Sequence, residues 1–375
     1  MKHTHLVRGT LAAILAVGWL GTASAADPIR LGVAVPLSGE FRTFGLSTQH
    51  AAEFVVKEVN ARGGVLGRPV ELLVEDDGCK PESAANVAAK FVTNKVDVVL
   101  GHICNRATKA GLEAYRSANI IAMSPSATNP SLTQSGEYPN FYRTNAADDT
   151  QAKVVVDFAI TKLKAKKIAL LCDKRAPSQA FTEFAKGIIE KSGKVEVAVY
   201  DEIATGTADY SAIAQKVKQK GADGLIYGGS DLEAAKIVVQ MRKKKMKTSF
   251  ITNDGAKSLN FLKEAGADAE GTYASGPKDT SKLALTIKAN EEYRAAHGAD
   301  PGAFYLNAYA AALALLNAIE KAGSTEYAAL EKALRSQWVE TPLGKISFDE
   351  RGEAIGVGFA MYRVEKGKYT EVVAK

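Results

Sequence analysis

Three features of the 375-residue chain predict an α/β fold with two doubly wound, parallel-sheet lobes. Short runs of Val, Ile and Leu recur without alternation, as in strands covered on both faces. Each run is followed by a longer segment of helical periodicity, which makes strand–helix–strand units with right-handed crossovers. The series then begins again after "FYRTNAADD", so a second, similar lobe starts near residue 146.

The elements follow in order. "IRLGVAVP" (Ile29–Pro36) is a strand, and "LSTQHAAEFVVKEVNARGG" is an amphipathic helix stopped by Gly63-Gly64. "VELLVED" is the next strand, and Pro81 opens the helix "PESAANVAAKFVTN" in its first turn, with Asp77 expected to cap it. "VDVVLG", a helix through "RATKAGLEAYRSA", and "IIAMS" complete the first series. In the second, Asp148-Asp149 precede a helix that runs to Leu163. "KKIALLC", "KVEVAVY", "GLIYGG" and "SFITN" read as strands. "FTEFAKGIIEKSG", "YSAIAQKVKQKGA" and "LEAAKIVVQMRKKK" read as the helices between them. The rest is less regular: a short strand "GTYAS", helices "SKLALTIKANEEYRAAHG" and "PGAFYLNAYAAALALLNAIEKAG", and a hairpin-like segment "KISFDERGEAIGVGFAMYRVEKGKY". These must pack on one of the two lobes.

The first 25 residues stand apart. Lys2 and Arg8 precede the apolar run "LAAILAVGWL", too short to span a bilayer comfortably, and Ala23-Ser24-Ala25 is a small-x-small cleavage signal. We read a signal peptide removed near Ala25, hence an exported chain. Loss of Lys2 and Arg8 lowers the formal charge from +6 to +4, a modest and dispersed excess. The densest basic run, "RKKKMK", closes a helix, where lysines complement the dipole. It has no interleaved aromatic residues, so no nucleic-acid partner is expected.

Little in the chain suggests catalysis. There is no GxSxG elbow, GxxxxGK[ST] loop, HExxH or strand-linked GxGxxG, so no catalytic residue is assigned. After Ala25 the histidines are His50, His102 and His297, without CxxC or HxxxH spacing, and neither a metal nor a cofactor is expected. Cys172 ends an apolar run and reads as a buried strand residue. Cys79 and Cys104 also lie at the ends of apolar runs. If those runs are neighbouring parallel strands, both cysteines emerge at one sheet edge, where a disulfide fits. The loops beyond the carboxyl ends of the strands are rich in hydroxyls and helix starts. They include "PLSGEFRTFG", "GHICNRAT", "SPSATNP", "CDKRAPSQ", "GGSDLE" and "TNDGA". In an open α/β sheet such loops face the ligand. Helix N-termini suit a carboxylate and Asp254 suits an ammonium, so the set fits a zwitterion in a cleft between lobes.

The landmarks "VNARGGVLGRPVELLVEDDGCKPESA", "GHIC", "SPSATNPSLTQ", "YGG" and "FDERGE" resemble the leucine/isoleucine/valine-binding proteins. These are type I periplasmic solute-binding subunits of branched-chain amino acid ABC importers. The resemblance runs from about Ile29 to the C-terminus. It implies two lobes joined by a three-segment hinge, residues 27–145 with 277–350 and residues 146–276 with 351–375, and a Cys79–Cys104 disulfide. It implies a monomeric, periplasmic, non-enzymatic protein that captures an amino acid and delivers it to a membrane permease. An aliphatic side chain is expected first, with an aromatic carboxylate, an amide or urea-like solute, or a polar or acidic amino acid as alternatives. The implied ligand set is Phe44 in the first loop, Asn105 where relatives carry Ser, Ser126, Ala127 and Thr128, and Asp254 for the ammonium. Pro177 and Ser230 stand where relatives carry tyrosines. Ser230 is counted among the expected ligand contacts, as is Arg106, which like Asp231 lies beside these positions and brings unusual charge.

Overall fold

The computed structural model describes Met1 and residues 27–372; the expected signal peptide lies outside the described residues. The first lobe opens as β1 (Ile29–Val35), α1 (Arg42–Ala61), β2 (Val70–Asp76), α2 (Pro81–Thr93), β3 (Val98–Gly101), α3 (Asn105–Ser117), β4 (Ile121–Ser124), a short α4 (Ser131–Gln134) and β5 (Phe141–Arg143). These strands form one parallel sheet in the order β2-β1-β3-β4-β5. The order reverses at β1, which leaves a crevice at the carboxyl ends of β1 and β3.

The chain then passes to a second sheet. It runs through α5 (Asp148–Thr161), β6 (Lys167–Asp173), α6 (Ala176–Ser192), β7 (Glu196–Ile203), α7 (Ser211–Gln219), β8 (Gly224–Tyr227), α8 (Asp231–Lys243), β9 (Ser249–Thr252), α9 (Leu259–Ala265) and β10 (Tyr273–Pro277). It returns to the first lobe as α10 (Ala284–His297), α11 (Tyr305–Ala322), α12 (Tyr327–Ser336), β11 (Val339–Thr341), β12 (Gly344–Phe348) and β13 (Ala354–Ile355). Finally β14 (Phe359–Glu365) and β15 (Lys368–Glu371) join the second sheet, whose order is β15-β14-β10-β9-β8-β6-β7. β14 pairs antiparallel with β10, and β15 antiparallel with β14.

Two expectations change. The segment read as one hairpin over 345–369 is divided between lobes: β12 and β13 pair with each other beside the first sheet, whereas β14 and β15 extend the second. Gly356 and Gly358, both at positive φ, let the chain turn between them. The boundary expected at residue 351 therefore precedes two residues, Ala354 and Ile355, that still pair with β12. Asp77 does not cap α2, whose N-cap is Lys80; it is wholly buried against His102 instead.

Burial explains why the returning helices belong to the first lobe. α11 is so rich in alanine that it packs closely: Ala308, Ala310, Ala311, Ala312 and Ala314 are all buried in one core with Val55 and Val59 of α1 and Val33 of β1. The other face is covered by Val87 and Phe91 of α2 and Leu112 and Tyr115 of α3. In the second lobe α7, α8 and α9 cover one face, and α5 and α6 the other. Among the described residues no helix is long and apolar enough to cross a membrane.

Candidate functional site

The first-lobe rim is rigid from its foundation upward. Cys79, just past β2, and Cys104, just past β3, form a disulfide with their Cα atoms 5.5 Å apart. Behind it His102 Nδ1 lies 2.6 Å from Asp77 Oδ2 and its Nε2 lies 3.1 Å from the Tyr115 hydroxyl, with all three residues buried. The main-chain carbonyl of His102 accepts from Ser124 Oγ at 2.6 Å and Thr108 Oγ1 at 3.0 Å. Ser124 Oγ in turn accepts from the Ala127 amide at 2.9 Å. The polar loop that follows β4 is thus fixed from below by hydrogen bonds that water cannot replace.

This fixing decides where the expected ligand residues point. Ser126 Oγ donates to the Ile103 carbonyl at 2.8 Å, and Ala127 is buried. Asn105 Oδ1 accepts from the amides of Thr128 and Asn129 at 2.9 and 3.0 Å. The Asn105 side chain is thus an internal cap of this loop. Arg106 is exposed in the first turn of α3 and takes part in none of the ion pairs among the described residues. Phe44 lies in the first turn of α1 rather than in a loop. Gly45 lets that turn start so early, because a Cβ there would sit 1.8 Å from the Pro36 carbonyl oxygen. Phe44 packs edge-on to Phe304, with ring centroids 5.7 Å apart.

On the second lobe, Asp254 follows β9 at the exposed start of a single turn of 3₁₀ helix. Gln151 Nε2 donates to Asp254 Oδ1 at 2.9 Å and to Ser275 Oγ at 3.0 Å. Lys257 closes the turn, its amide donating to the Asp254 carbonyl and its ammonium lying 4.1 Å from the centre of the Tyr362 ring. Ser230 donates to Glu233 within the first turn of α8, so it serves the helix start. Burial opposes ionisation of Asp231, but hydrogen bonds from Ser258, Asn260 and the Leu232 amide outweigh it and hold the carboxyl below its ordinary value. Asp173 is fully buried, and the Arg175 guanidinium holds its carboxyl below the ordinary value against that burial.

A cavity of about 510 Å³ lies between the lobes. Thr128 reaches it from the first lobe and Asp254 from the second, so the structure brings these two expected residues together. Pro177 also lines it; Phe44, Asn105, Arg106, Ser126, Ala127 and Ser230 do not. Its remaining walls went unread in the sequence. Phe181 and Phe184, three apart on α6, share a helix face that periodicity assigns to core. Phe359 follows the last crossing, and Asp148 and Gln151 lie one turn apart at the start of α5. Among the described lining residues there are two carboxylates and no lysine or arginine. A neighbouring recess of about 360 Å³ lies where all three crossings meet, walled by Asn145, Lys278, Phe304 and Phe359. No group of three metal-ligating side chains comes together among the described residues.

Two parallel-sheet lobes, three crossings and a cavity shared by both carboxyl edges define a bilobal, hinged solute-binding protein. The comparison with known proteins gives its family: residues 28–368 match the model of the periplasmic binding protein family, and the chain belongs to it. It is therefore a binding protein and not an enzyme. It is 32% identical over 371 residues to the Leu/Ile/Val-binding protein homolog 1 of Brucella abortus, covering 98% of this chain and 97% of the other. Among solved structures, it is similar to the substrate-binding protein LivJ of Streptococcus pneumoniae in complex with isoleucine. That similarity has 26% identity and a TM-score of 0.58, over 92% of this chain and 98% of the other. A putative branched-chain amino acid ABC transporter from Rhodospirillum rubrum shares the fold at 20% identity and a TM-score of 0.77, over 92% of this chain and all of the other.

Proposed function

We propose that the protein is the periplasmic solute-binding component of an ABC importer, capturing an amino acid between its lobes and presenting it to a membrane permease. One observation carries this reading: Thr128 and Asp254, on different lobes, face one cavity. Closure about the hinge brings both onto a single solute. The Asp254 carboxylate receives the ammonium, and the Thr128 hydroxyl with the N-terminal turn of α5 receives the carboxylate. Phe181, Phe184 and Phe359 supply an apolar wall, against which each buried CH₂ contributes about 0.8 kcal/mol. An aliphatic or aromatic side chain fits that wall. A bare aromatic carboxylate fits less well, because Asp148 and Asp254 face it and no basic side chain lines the cavity among the described residues.

The test is calorimetric titration of the refolded, solute-free protein with L-leucine, L-phenylalanine, L-glutamate and benzoate. Binding of L-leucine or L-phenylalanine, with benzoate inert, is expected. Binding of benzoate with every α-amino acid inert would overturn the amino-acid assignment and leave the bilobal binder.

A further inference from the structure

Arg143 is wholly buried, yet it sits at the last position of β5, where the chain leaves the first sheet for the second. A guanidinium carries five N–H donors in a rigid plane. Here every one has a partner. Nε donates to Glu353 Oε2 at 2.9 Å, and Nη2 donates to Glu353 Oε1 and to Thr133 Oγ1, the latter at 2.8 Å. Nη1 donates to the main-chain carbonyls of Ala127 and Asn129, at 3.2 and 3.0 Å. Thr133 Oγ1 closes the ring by donating to Glu353 Oε1 at 2.6 Å.

The partners lie in three places that matter for closure. Ala127 and Asn129 flank Thr128 in the loop that meets the cavity. Arg143 is the root of the first crossing, and Glu353 lies just before the third, ahead of Gly356 and Gly358. The two roots are also fastened through the main chain. The Arg143 amide donates to the Gly352 carbonyl at 3.0 Å, and Arg143 and Glu353 form a parallel bridge. Gly352 has φ +85°, and a Cβ there would lie 2.1 Å from the Phe141 carbonyl oxygen, so the close approach requires glycine.

We propose that the ion pair between the buried Arg143 and Glu353 is a positioning device that fastens the loop of Thr128 to the roots of the first and third crossings, so that one ion pair sets both the presentation of Thr128 and the resting angle between the lobes. The part concerning Thr128 rests on the function proposed above; the part concerning the lobe angle does not. The fork geometry is essential, because a single ammonium cannot satisfy the carboxylate, the hydroxyl and two carbonyls at once.

The test uses spin labels on Lys109→Cys in α3 and Lys263→Cys in α9, both exposed positions, with distances measured in the solute-free protein. Glu353→Gln and Arg143→Lys keep the size of the buried groups, and Glu353→Asp keeps the carboxylate. In the first two, the inter-lobe distance distribution is expected to widen at least twofold, and L-leucine affinity to fall tenfold or more. In Glu353→Asp the distribution is expected to return toward that of the unmodified pair. Should Arg143→Lys not fold, Glu353→Gln and Glu353→Asp carry the comparison. A distribution unchanged from wild type in a folded Glu353→Gln variant would overturn the proposal even if Tm falls, because the pair would then be only a stability element. If the wild-type protein binds no α-amino acid, the amino-acid reading fails, and the solute-free distances still decide the role of the pair.

Discussion

Asp254→Asn isolates the charge that the proposed site uses. The amide keeps the shape of the carboxylate and can still accept the 2.9 Å hydrogen bond from Gln151. Asp254 is exposed at the rim of the cavity, so its neutralisation leaves no buried charge unpaired. Stability should therefore change by no more than about 0.5 kcal/mol. Binding is different. A hydrogen bond to a charged group contributes about 1.5–3 kcal/mol, and each 1.4 kcal/mol is about a tenfold change in affinity. The expected loss is thus on the order of 10- to 150-fold in Kd for L-leucine. Titration calorimetry at two salt concentrations reads it, and the wild-type advantage should shrink as salt rises, since the pair sits at the solvent edge. A Kd within about threefold of wild type, well under the tenfold that 1.4 kcal/mol represents, would refute the role of Asp254 as the ammonium acceptor.

Other perturbations test the scaffold. Replacing Cys79 and Cys104 together by alanine opens a loop with sequence separation 25. It should lower unfolding free energy by about 3–4 kcal/mol on the chain-entropy account, read by urea denaturation. Tyr115→Phe leaves His102 Nε2 without its 3.1 Å partner in a buried setting, for an expected loss of about 1–3 kcal/mol with solute affinity nearly unchanged. His50 gives a pH dependence. Burial first, and then the stacked His297 ring 4.1 Å away, hold its pKa below the ordinary 6.5. The folded state then binds fewer protons than the unfolded one between the two values, so stability is full above pH 6.5 and falls as the pH drops through that window. The Tm difference between His50→Phe and wild type should accordingly shift in favour of the variant between pH 7.5 and 5.5. An unchanged difference would refute the linkage.

The fold was legible because the inner strands of both lobes are buried on both faces, and continuous runs such as "VDVVLG" admit few other readings. The helix starts were less legible. α1 begins at Arg42 because Gly45 can pass close to Pro36, a tertiary contact with no signature in helical periodicity. The segment 345–369 was misread as one hairpin because each half carries strand character. Only pairing partners distant in sequence, β12 for β13 and β10 for β14, divide it. The lining of the cavity was legible where a residue's chemistry is unusual for its surroundings, as with Asp254. It was illegible where ordinary core chemistry is used at a mouth, as with Phe181 and Phe184. Arg143 shows a further limit, since nothing local to "FYRTN" reveals that its carboxylate partner, Glu353, lies 210 residues away.

The second lobe reaches its site by a route different from the one that the family resemblance implied. Of the two positions where the resemblance places tyrosines in relatives, Ser230 turns back to Glu233 at the start of α8, while Pro177 opens α6 and remains at the cavity. Neither offers a phenol to the solute. The apolar wall comes instead from Phe181 and Phe184 one turn further along α6. A helix face holds its side chains more rigidly than a loop does, and phenyl rings add no hydrogen-bonding tip. On the proposed reading, recognition of the solute's head group then falls on few polar groups, chiefly Asp254 held by Gln151 and Thr128 held through Asn105 and Arg143. The side chain of the solute meets a surface that discriminates by size at about 0.8 kcal/mol per CH₂, and by the absence of partners for any polar group it carries. Such a site should rank L-leucine and L-phenylalanine close together and reject L-glutamate strongly. The reverse order would place the side-chain pocket elsewhere, next to Arg106.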